Sequence, residues 1–341
     1  MSLKTQRRNE IKQYLLLNLR NHPKDIVRVV QEKFNLSRTA ILRYMRNLEE
    51  ENQIEIEGST KDRKYSIIPI HTIKHIYEVQ EALAEDKIWR DDFLPSLGTV
   101  KKNVLDICNY GFTEIFNNAL EHSEGTNILA RVTLWIDQIE IMILDDGVGI
   151  FNKIQRKYHL DDQQHAILEL SKGKMTTEPD SHTGEGIFFT SKMFDSFFMV
   201  SGKLGFTCQK GFEFNLLAET EKDIKGTNVK MEISSMSEKT EKSIFAQYGT
   251  DEYRFDQTIV PVKLARYGSE NLISRSQAKR LLAHLDGFKV VRLDFRGVTE
   301  IGRAFADEIF RVFVRTHPGT EIVPINGSKK IGQIIKEIKE E

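Results

Sequence analysis

Residues Phe112 to Ser123 read FTEIFNNALEHS, and the fold is decided by how this stretch is read. Placed every 100° around a helix axis, Phe112, Ile115, Phe116, Ala119 and Leu120 share one apolar arc. Glu114, Asn117, Asn118, Glu121 and His122 share the opposite arc, with Glu114, Asn118 and His122 stacked at i, i+4, i+8. An Asn side-chain oxygen is a neutral, hard ligand suited to Mg²⁺, which keeps phosphate and water oxygens around it. A Glu one turn earlier can orient or deprotonate a water attacking a γ-phosphate. Taken alone, the same face also suits a solvated helix surface.

The segments downstream narrow the choice. Gln138 to Ile143 alternates like a strand and runs into Leu144-Asp145-Asp146-Gly147-Val148-Gly149-Ile150. A carboxylate at a strand end, followed by Gly-x-Gly, offers an acceptor for an exocyclic amine and a backbone that a planar base can approach closely. His182-Thr183-Gly184-Glu185-Gly186-Ile187-Phe188 places a second Gly-x-Gly before an expected helix, Ile187 to Asp195. A helix N-terminus presents free N–H groups and a positive dipole end to phosphate. Lys225-Gly226-Thr227 opens a last strand, Asn228 to Ile233. Each piece alone is weak; their order and separation carry the signal.

That order resembles the GHKL ATPase superfamily of gyrase-type ATPases, sensor histidine kinases and anti-sigma-factor serine kinases, over roughly residues 76–235. Glu114, Asn118, Ala119 and His122 match its N box. Asp145, Gly147 and Gly149 match the first glycine box, Gly184 and Gly186 the second, and Gly226 with Thr227 the third. The resemblance implies ATP and Mg²⁺ as cofactors. It implies Asp145 on the adenine amine, Asn118 on Mg²⁺ and Glu114 as the catalytic base. Gly147, Gly149, Thr183, Gly184, Gly186 and Thr227 would complete the ATP site. Phe151 to Thr183 occupies the family's lid position, and Lys172, Lys174, Thr176, Thr177 and His182 give it a polar, cationic character, with Lys172 and Lys174 expected at the phosphates. Histidine autokinase activity is not expected. His71 is followed by Thr72 and His75 by Ile76, with no room for two long helices before the N box.

The flanks read differently. The chain of 341 residues has a formal charge of -1, yet Met1 to Leu48 carries eleven Lys/Arg against three Asp/Glu, so an excess of eight positive charges sits at one end. Helices at about Lys4 to Leu19, Lys24 to Phe34 and Arg38 to Glu51, the last capped by Ser37, precede a hairpin of Ile54 to Glu57 and Tyr65 to Ile68. This looks like a winged helix. Arg38, Thr39, Arg43 and Arg46 on its third helix, with Lys61 and Arg63 on the wing, would contact DNA. The alternative is a protein-docking module.

His71 to Leu97 reads as mostly helical, and Ser234 to Tyr248 as a Ser/Lys/Glu-rich linker. Beyond it strands and helices alternate: strand Thr258 to Leu264, helix Arg275 to Leu285 with a Ser274/Gln277 capping box, strand Lys289 to Phe295, helix Ala304 to Arg315, strand Glu321 to Ile325 and helix Lys329 to Ile338. Val290 to Val298 resembles the central strand of STAS-like domains, but Ile301 to Asp307 lacks the hydroxyl that antagonists phosphorylate. The two cysteines imply no disulfide framework, and no apolar run reaches the ~20 residues of a membrane span. The expectation is therefore a cytoplasmic α+β multidomain protein. It comprises a winged helix (1–70), a GHKL-type mixed sheet with helices on one face (71–235), a linker (236–255) and a small STAS-like α/β domain (256–341). Its expected role is a nucleotide-operated switch in transcription, with DNA and a regulatory protein such as a sigma or anti-sigma-like factor as partners, no membrane, and room for a homodimer. The alternatives are a serine/threonine kinase of the anti-sigma type and an ATP-binding module without turnover.

Overall fold

The computed structural model describes residues 3–59, 62–80, 83–174, 184–209, 212–217, 222–249, 255–266 and 270–341. The first unit consists of α1 (Leu3–Leu19), α2 (Ile26–Phe34) and α3 (Arg38–Glu50), then β1 (Ile54–Glu57) and β2 (Lys64–Ile67), which pair antiparallel. Asn35, at φ 51°, ends α2, and the Ser37 hydroxyl accepts from the Ala40 N–H at 3.2 Å to start α3. The inward residues of these elements, including Ile11, Leu15, Ile26, Val30, Ile41, Met45, Leu48, Ile54 and Tyr65, form a separate small core. One tether to the rest is clear. Ile136 packs on this core, and Arg20 donates to both Asp137 carboxylate oxygens at 2.9 and 3.2 Å while lying 4.9 Å from the Trp135 ring centre.

The centre is a seven-stranded sheet. Its strands are β3 (His71–Glu78), β4 (Asn127–Leu134), β5 (Gln138–Asp145), β6 (Ser196–Gly202), β7 (Leu204–Gln209), β8 (Phe212–Leu217) and β9 (Ile224–Ser234), in the order β3-β4-β5-β9-β6-β7-β8. Between β3 and β4 come α4 (Glu85–Ile88), which continues as a π turn through Phe93, and α5 (Lys102–His122). α6 (Ile150–Tyr158), α7 (Gln163–Lys172) and α8 (Gly186–Met193) lie between β5 and β6. Ile128, Ala130, Val132, Ile139, Ile141 and Ile143 alternate onto the buried face, which α5 covers with Val104, Ile107, Cys108, Phe112, Ile115, Phe116 and Ala119. The helix that carries Glu114, Asn118 and His122 is thus clamped by its apolar arc, which fixes where its polar arc points.

The C-terminal unit contains β10 (Gln257–Pro261), α10 (Arg275–Leu282), β11 (Val290–Asp294), α11 (Arg303–Asp307), α12 (Val314–Thr316), β12 (Glu321–Ile325) and α13 (Lys329–Glu340). The strands pair in parallel in the order β10-β11-β12, and helices make the crossovers. The Ser274/Gln277 capping box is present. A π segment, Glu308–Phe313, joins α11 to α12, so one continuous helical stretch runs from Arg303 to Thr316.

Three expectations are corrected. The central sheet is wholly antiparallel rather than mixed. The first eight residues of His71 to Leu97 are an edge strand, because the Ile73, His75, Tyr77 set faces the helices while Thr72, Lys74 and Ile76 face away, a period of two. The expected linker carries α9 (Glu241–Tyr248), started by a Thr240/Ser243 capping box. Phe245 and Tyr248 of α9 join Phe188, Phe189 and Phe255 in an aromatic cluster with ring centres 4.5–6.5 Å apart. One buried apolar cluster consequently runs unbroken from Ile88 to Ile338, through both the central and the C-terminal units. Among the described residues no helix is long and apolar enough to cross a membrane.

Candidate functional site

A cavity of about 440 Å³ opens where β5 ends, between α5, α6 and the start of α8, within the range typical of small-molecule sites. Asp145 lies at its floor. Its Oδ1 accepts the Gly147 N–H at 3.0 Å and the Thr227 N–H at 3.2 Å, so the Gly147-x-Gly149 turn and Gly226-Thr227 are tied to one carboxylate. The Thr227 hydroxyl in turn accepts the Ile150 N–H at 3.0 Å, fixing the first turn of α6. Gly226 sits at φ 76°, and a Cβ there would run into the Asp145 carbonyl. Burial raises the pKa of Asp145, while the two backbone N–H groups and Thr227 pull it back.

The adjacent carboxylate behaves otherwise. Asp146 accepts from the backbone N–H groups of Thr126 (2.7 Å) and Asn127 (3.0 Å) and from both their side chains. These bonds, led by Asn127, hold its pKa well below the ordinary range. Asp146 pins the approach to β4, whereas Asp145 lines the cavity.

The polar arc of α5 forms one wall, with Glu114, Asn118 and His122 all lining it. Asn118 donates its Nδ2 to the Glu114 carbonyl at 2.6 Å, which commits the amide nitrogen and leaves the oxygen as the ligating end. Gly184, Glu185 and Gly186 form the facing wall. A Cβ at Gly186 would collide with the Glu114 carboxylate, so a glycine at this position lets Glu114 and the Gly184-x-Gly186 turn meet. Gly186 is also the first residue of α8, so the helix starts at the cavity.

Sequence reasoning missed part of the lining. Lys153, one turn into α6, donates to the His122 carbonyl at 2.8 Å, lies 3.3 Å from Glu124 and brings a cation to the cavity. Its signal is its spacing of four from Gly149, whose carbonyl accepts the Lys153 N–H at 3.0 Å. Glu185 adds a second carboxyl whose pKa is raised by burial, with Lys174 pulling it back. Tyr110 and Phe245 complete the apolar side; the Tyr110 phenol is pushed up first by burial and then by Glu114, Glu185 and Glu241.

Lys172 and Lys174 are not at the cavity. Lys172 is 2% exposed, and its Nζ donates to Glu169 Oε1 (2.6 Å) and to the carbonyls of Ala283 (2.8 Å) and Arg280 (3.2 Å) at the end of α10. Lys174 donates to the Gly287 carbonyl at 2.8 Å and lies 4.4 Å from the Phe288 ring centre. Both lysines therefore face the C-terminal unit, because α7 extends to Lys172 and docks there. Thr183, with Thr176, Thr177 and His182, lies outside the described residues. Gly147 and Gly149 sit in the turn between β5 and α6. On the N-terminal unit, Arg38, Thr39, Arg43 and Arg46 are exposed on α3 and Arg63 is half-buried; Lys61 lies outside the described residues.

Comparison with known families agrees with the topology at the C-terminus. A family described as STAS-like domain of unknown function (DUF4325) matches residues 277–339, so this part of the chain is STAS-like. No curated protein matches the chain.

Proposed function

We propose that this protein binds ATP with Mg²⁺ in the cavity at the end of β5, as a GHKL-type ATPase that acts as a nucleotide-operated regulatory switch in the cytoplasm. The observation that carries the reading is convergence: Asp145, Asn118, Glu114, Gly184 and Gly186 come from separate segments of the chain and line one cavity. Asp145, an acceptor held by backbone donors, suits the exocyclic amine of adenine. The Asn118 oxygen suits one position on a cation whose other ligands are phosphate and water; among the described residues no cluster of three or more acidic, His or Cys side chains competes for that role. When bound, Mg²⁺ would supply positive charge to the phosphates. Glu114, against the start of α8, would orient an attacking water and take its proton. Lys153 and the N-terminus of α8 supply the positive field for phosphate.

In this reading the N-terminal unit is a winged helix that carries the switch to DNA through Arg38, Thr39, Arg43, Arg46 and the hairpin. The STAS-like unit, joined to the ATPase unit by a continuous core, relays nucleotide state to a regulatory protein. One rival is a serine/threonine kinase of the anti-sigma type; the STAS-like unit, whose Ile301 to Asp307 lacks a phosphorylatable hydroxyl, would then mimic its substrate. Glu114→Ala and Asn118→Ala test the site. Asn118→Ala weakens Mg·ATP binding and turnover together. Glu114→Ala leaves ATP bound and lowers turnover by about 10²–10⁴-fold. Free phosphate without a mass shift on the protein marks the ATPase; a mass shift after incubation with Mg·ATP marks the kinase. If neither substitution changes binding or turnover, the assignment of this site fails.

A further inference from the structure

The edge of the central sheet carries a pattern that the nucleotide reading does not use. β3 pairs with β4 on one side and, among the described residues, with no strand on the other. Its register with β4 is unbroken from His71↔Leu134 to Glu78↔Asn127, and just beyond it the Val79 N–H donates to the Thr126 carbonyl at 2.9 Å. In an antiparallel ladder, residues alternate between bonding inward and outward. Val79, Tyr77, His75 and Ile73 therefore bond toward β4, and Glu78, Ile76, Lys74 and Thr72 turn their backbone N–H and C=O groups to the open edge.

The same four outward-bonding residues carry exposed side chains, and Ile76 is 64% exposed, the largest value among the exposed large apolar residues. A long open edge with an apolar side chain is a template for another strand, which proteins commonly block with a lysine. Lys74 would block a foreign strand here. It does not block a copy of itself. Set two β3 strands antiparallel about a two-fold axis normal to the sheet through Ile76. Each residue then faces the one that mirrors it about position 76, and both copies keep the same face outward. Ile76 meets Ile76, and Lys74 meets Glu78 twice, once on each side of the axis. These are also the residues with free outward backbone groups, so hydrogen-bonded pairs fall where the charge pairs fall. Shifting the axis to Lys74 would set two ammonium groups opposite each other, and shifting it to His75 or Tyr77 would part Lys74 from Glu78, so opposite charges meet directly only with the axis at Ile76.

We propose that β3 is a homodimerisation edge, on which a second copy of this chain pairs antiparallel in the register Ile76↔Ile76, Lys74↔Glu78, extending the central sheet across both copies. The interface is isologous: one patch serves both sides. It does not depend on what the cavity binds.

The test uses the full-length protein in sedimentation equilibrium. Lys74→Glu and Glu78→Lys, each at an exposed position, replace two attractive cross-strand pairs by two repulsive ones. Each raises the dimer dissociation constant by about tenfold or more. The double reversal restores opposite charges in both pairs and returns the constant to near the unsubstituted value. A second measurement fixes the register. Cys108 and Cys208 are buried, so Ile76→Cys supplies the accessible thiol. With directly paired Cα atoms about 5.5 Å apart, within disulfide reach, mild oxidation yields a covalent dimer. Thr72→Cys, whose mirror position is Gln80, does not. A protein that stays monomeric at every concentration overturns the proposal. So does a double reversal that dissociates as readily as the singles, or equal cross-linking at positions 72 and 76.

Discussion

Lys172→Met separates two roles for a lysine that the family resemblance would set beside phosphates and the structure sets between two units. Lys172 Nζ makes three bonds, to Glu169 Oε1 at 2.6 Å and to the Ala283 and Arg280 carbonyls at 2.8 and 3.2 Å, and the Lys172 carbonyl accepts from the Thr258 hydroxyl at 2.8 Å. Burial pulls its pKa down while Glu169 pulls it up. Methionine keeps most of the stem's volume and removes the charge. The substitution leaves a buried carboxylate with one donor fewer and two carbonyls short of a partner. Breaking a buried pair from one side costs about 3–5 kcal/mol, and the lost bonds to carbonyls are part of that figure rather than additional to it. Urea unfolding monitored by fluorescence of Trp89 and Trp135, the two tryptophans, reads the change. The double substitution Lys172→Met with Glu169→Gln regains part of the loss, because no unpaired buried charge remains. A Lys172→Met protein within about 0.5 kcal/mol of the parent, the range of surface substitutions, would mean that Lys172 does not hold the two units together. If ATP affinity falls with stability unchanged, Lys172 belongs to the phosphates after all.

Three further outcomes rest on the same structure. Glu169 is held at about 2: burial pushes its pKa up, and the His165 imidazole 3.5 Å away, the hydrogen bond with His284 and the Lys172 ammonium outweigh it, so its stabilising contribution is present above the ordinary 4.5 and is lost as pH falls toward 2. His284 is raised above 6.5, chiefly by its bond to Glu169, so its contribution is present below 6.5 and is lost as pH rises through the folded value; the cluster is strongest between 4.5 and 6.5, and His284→Ala flattens the alkaline side of a denaturation midpoint–pH profile. Gly186→Ala pushes the Glu114 carboxylate aside, so turnover falls at least about tenfold while far-ultraviolet circular dichroism and the thermal midpoint change little, unless Glu114 has no part in turnover. Arg43→Glu with Arg46→Glu, both exposed on α3, weakens DNA binding and flattens its dependence on salt in fluorescence anisotropy; an unchanged salt slope makes this unit a protein-docking module.

Much of the architecture was legible because local pattern and tertiary demand agree. The 3.6-residue spacing from Phe112 to Ala119 marks the face on which α5 packs, and hence which of its residues line the cavity. The alternation of β5 ends at Asp145, and the βα periodicity after Thr258 marks the parallel unit. The features that escaped depend on distant contacts. Polar side chains of Ser234 to Tyr248 hid α9, whose apolar residues matter only because Phe188, Phe189 and Phe255 wait for them. Lys172 looks like a lid cation until α10 brings two carbonyls to it from 108 and 111 residues away. Lys153 looks like one of several helix-surface lysines until α6 packs beside the C-terminal end of α5. The period of two in His71 to Glu78 was present but interrupted by charge, as suits an edge strand.

In the proposed function the cavity at the end of β5 takes a purine nucleotide through Asp145. Isothermal titration of the full-length protein with Mg·ATP, alongside Asp145→Asn, tests it directly. An amide at this position can turn its NH₂ toward the adenine amine, and loss of one charge-assisted hydrogen bond weakens binding by about 1.5–3 kcal/mol, roughly 10- to 150-fold. The parent is expected to show saturable one-site binding and Asp145→Asn a loss of that size, with folding intact by circular dichroism. No heat of binding from the folded parent, or equal affinity in the two proteins, would contradict it.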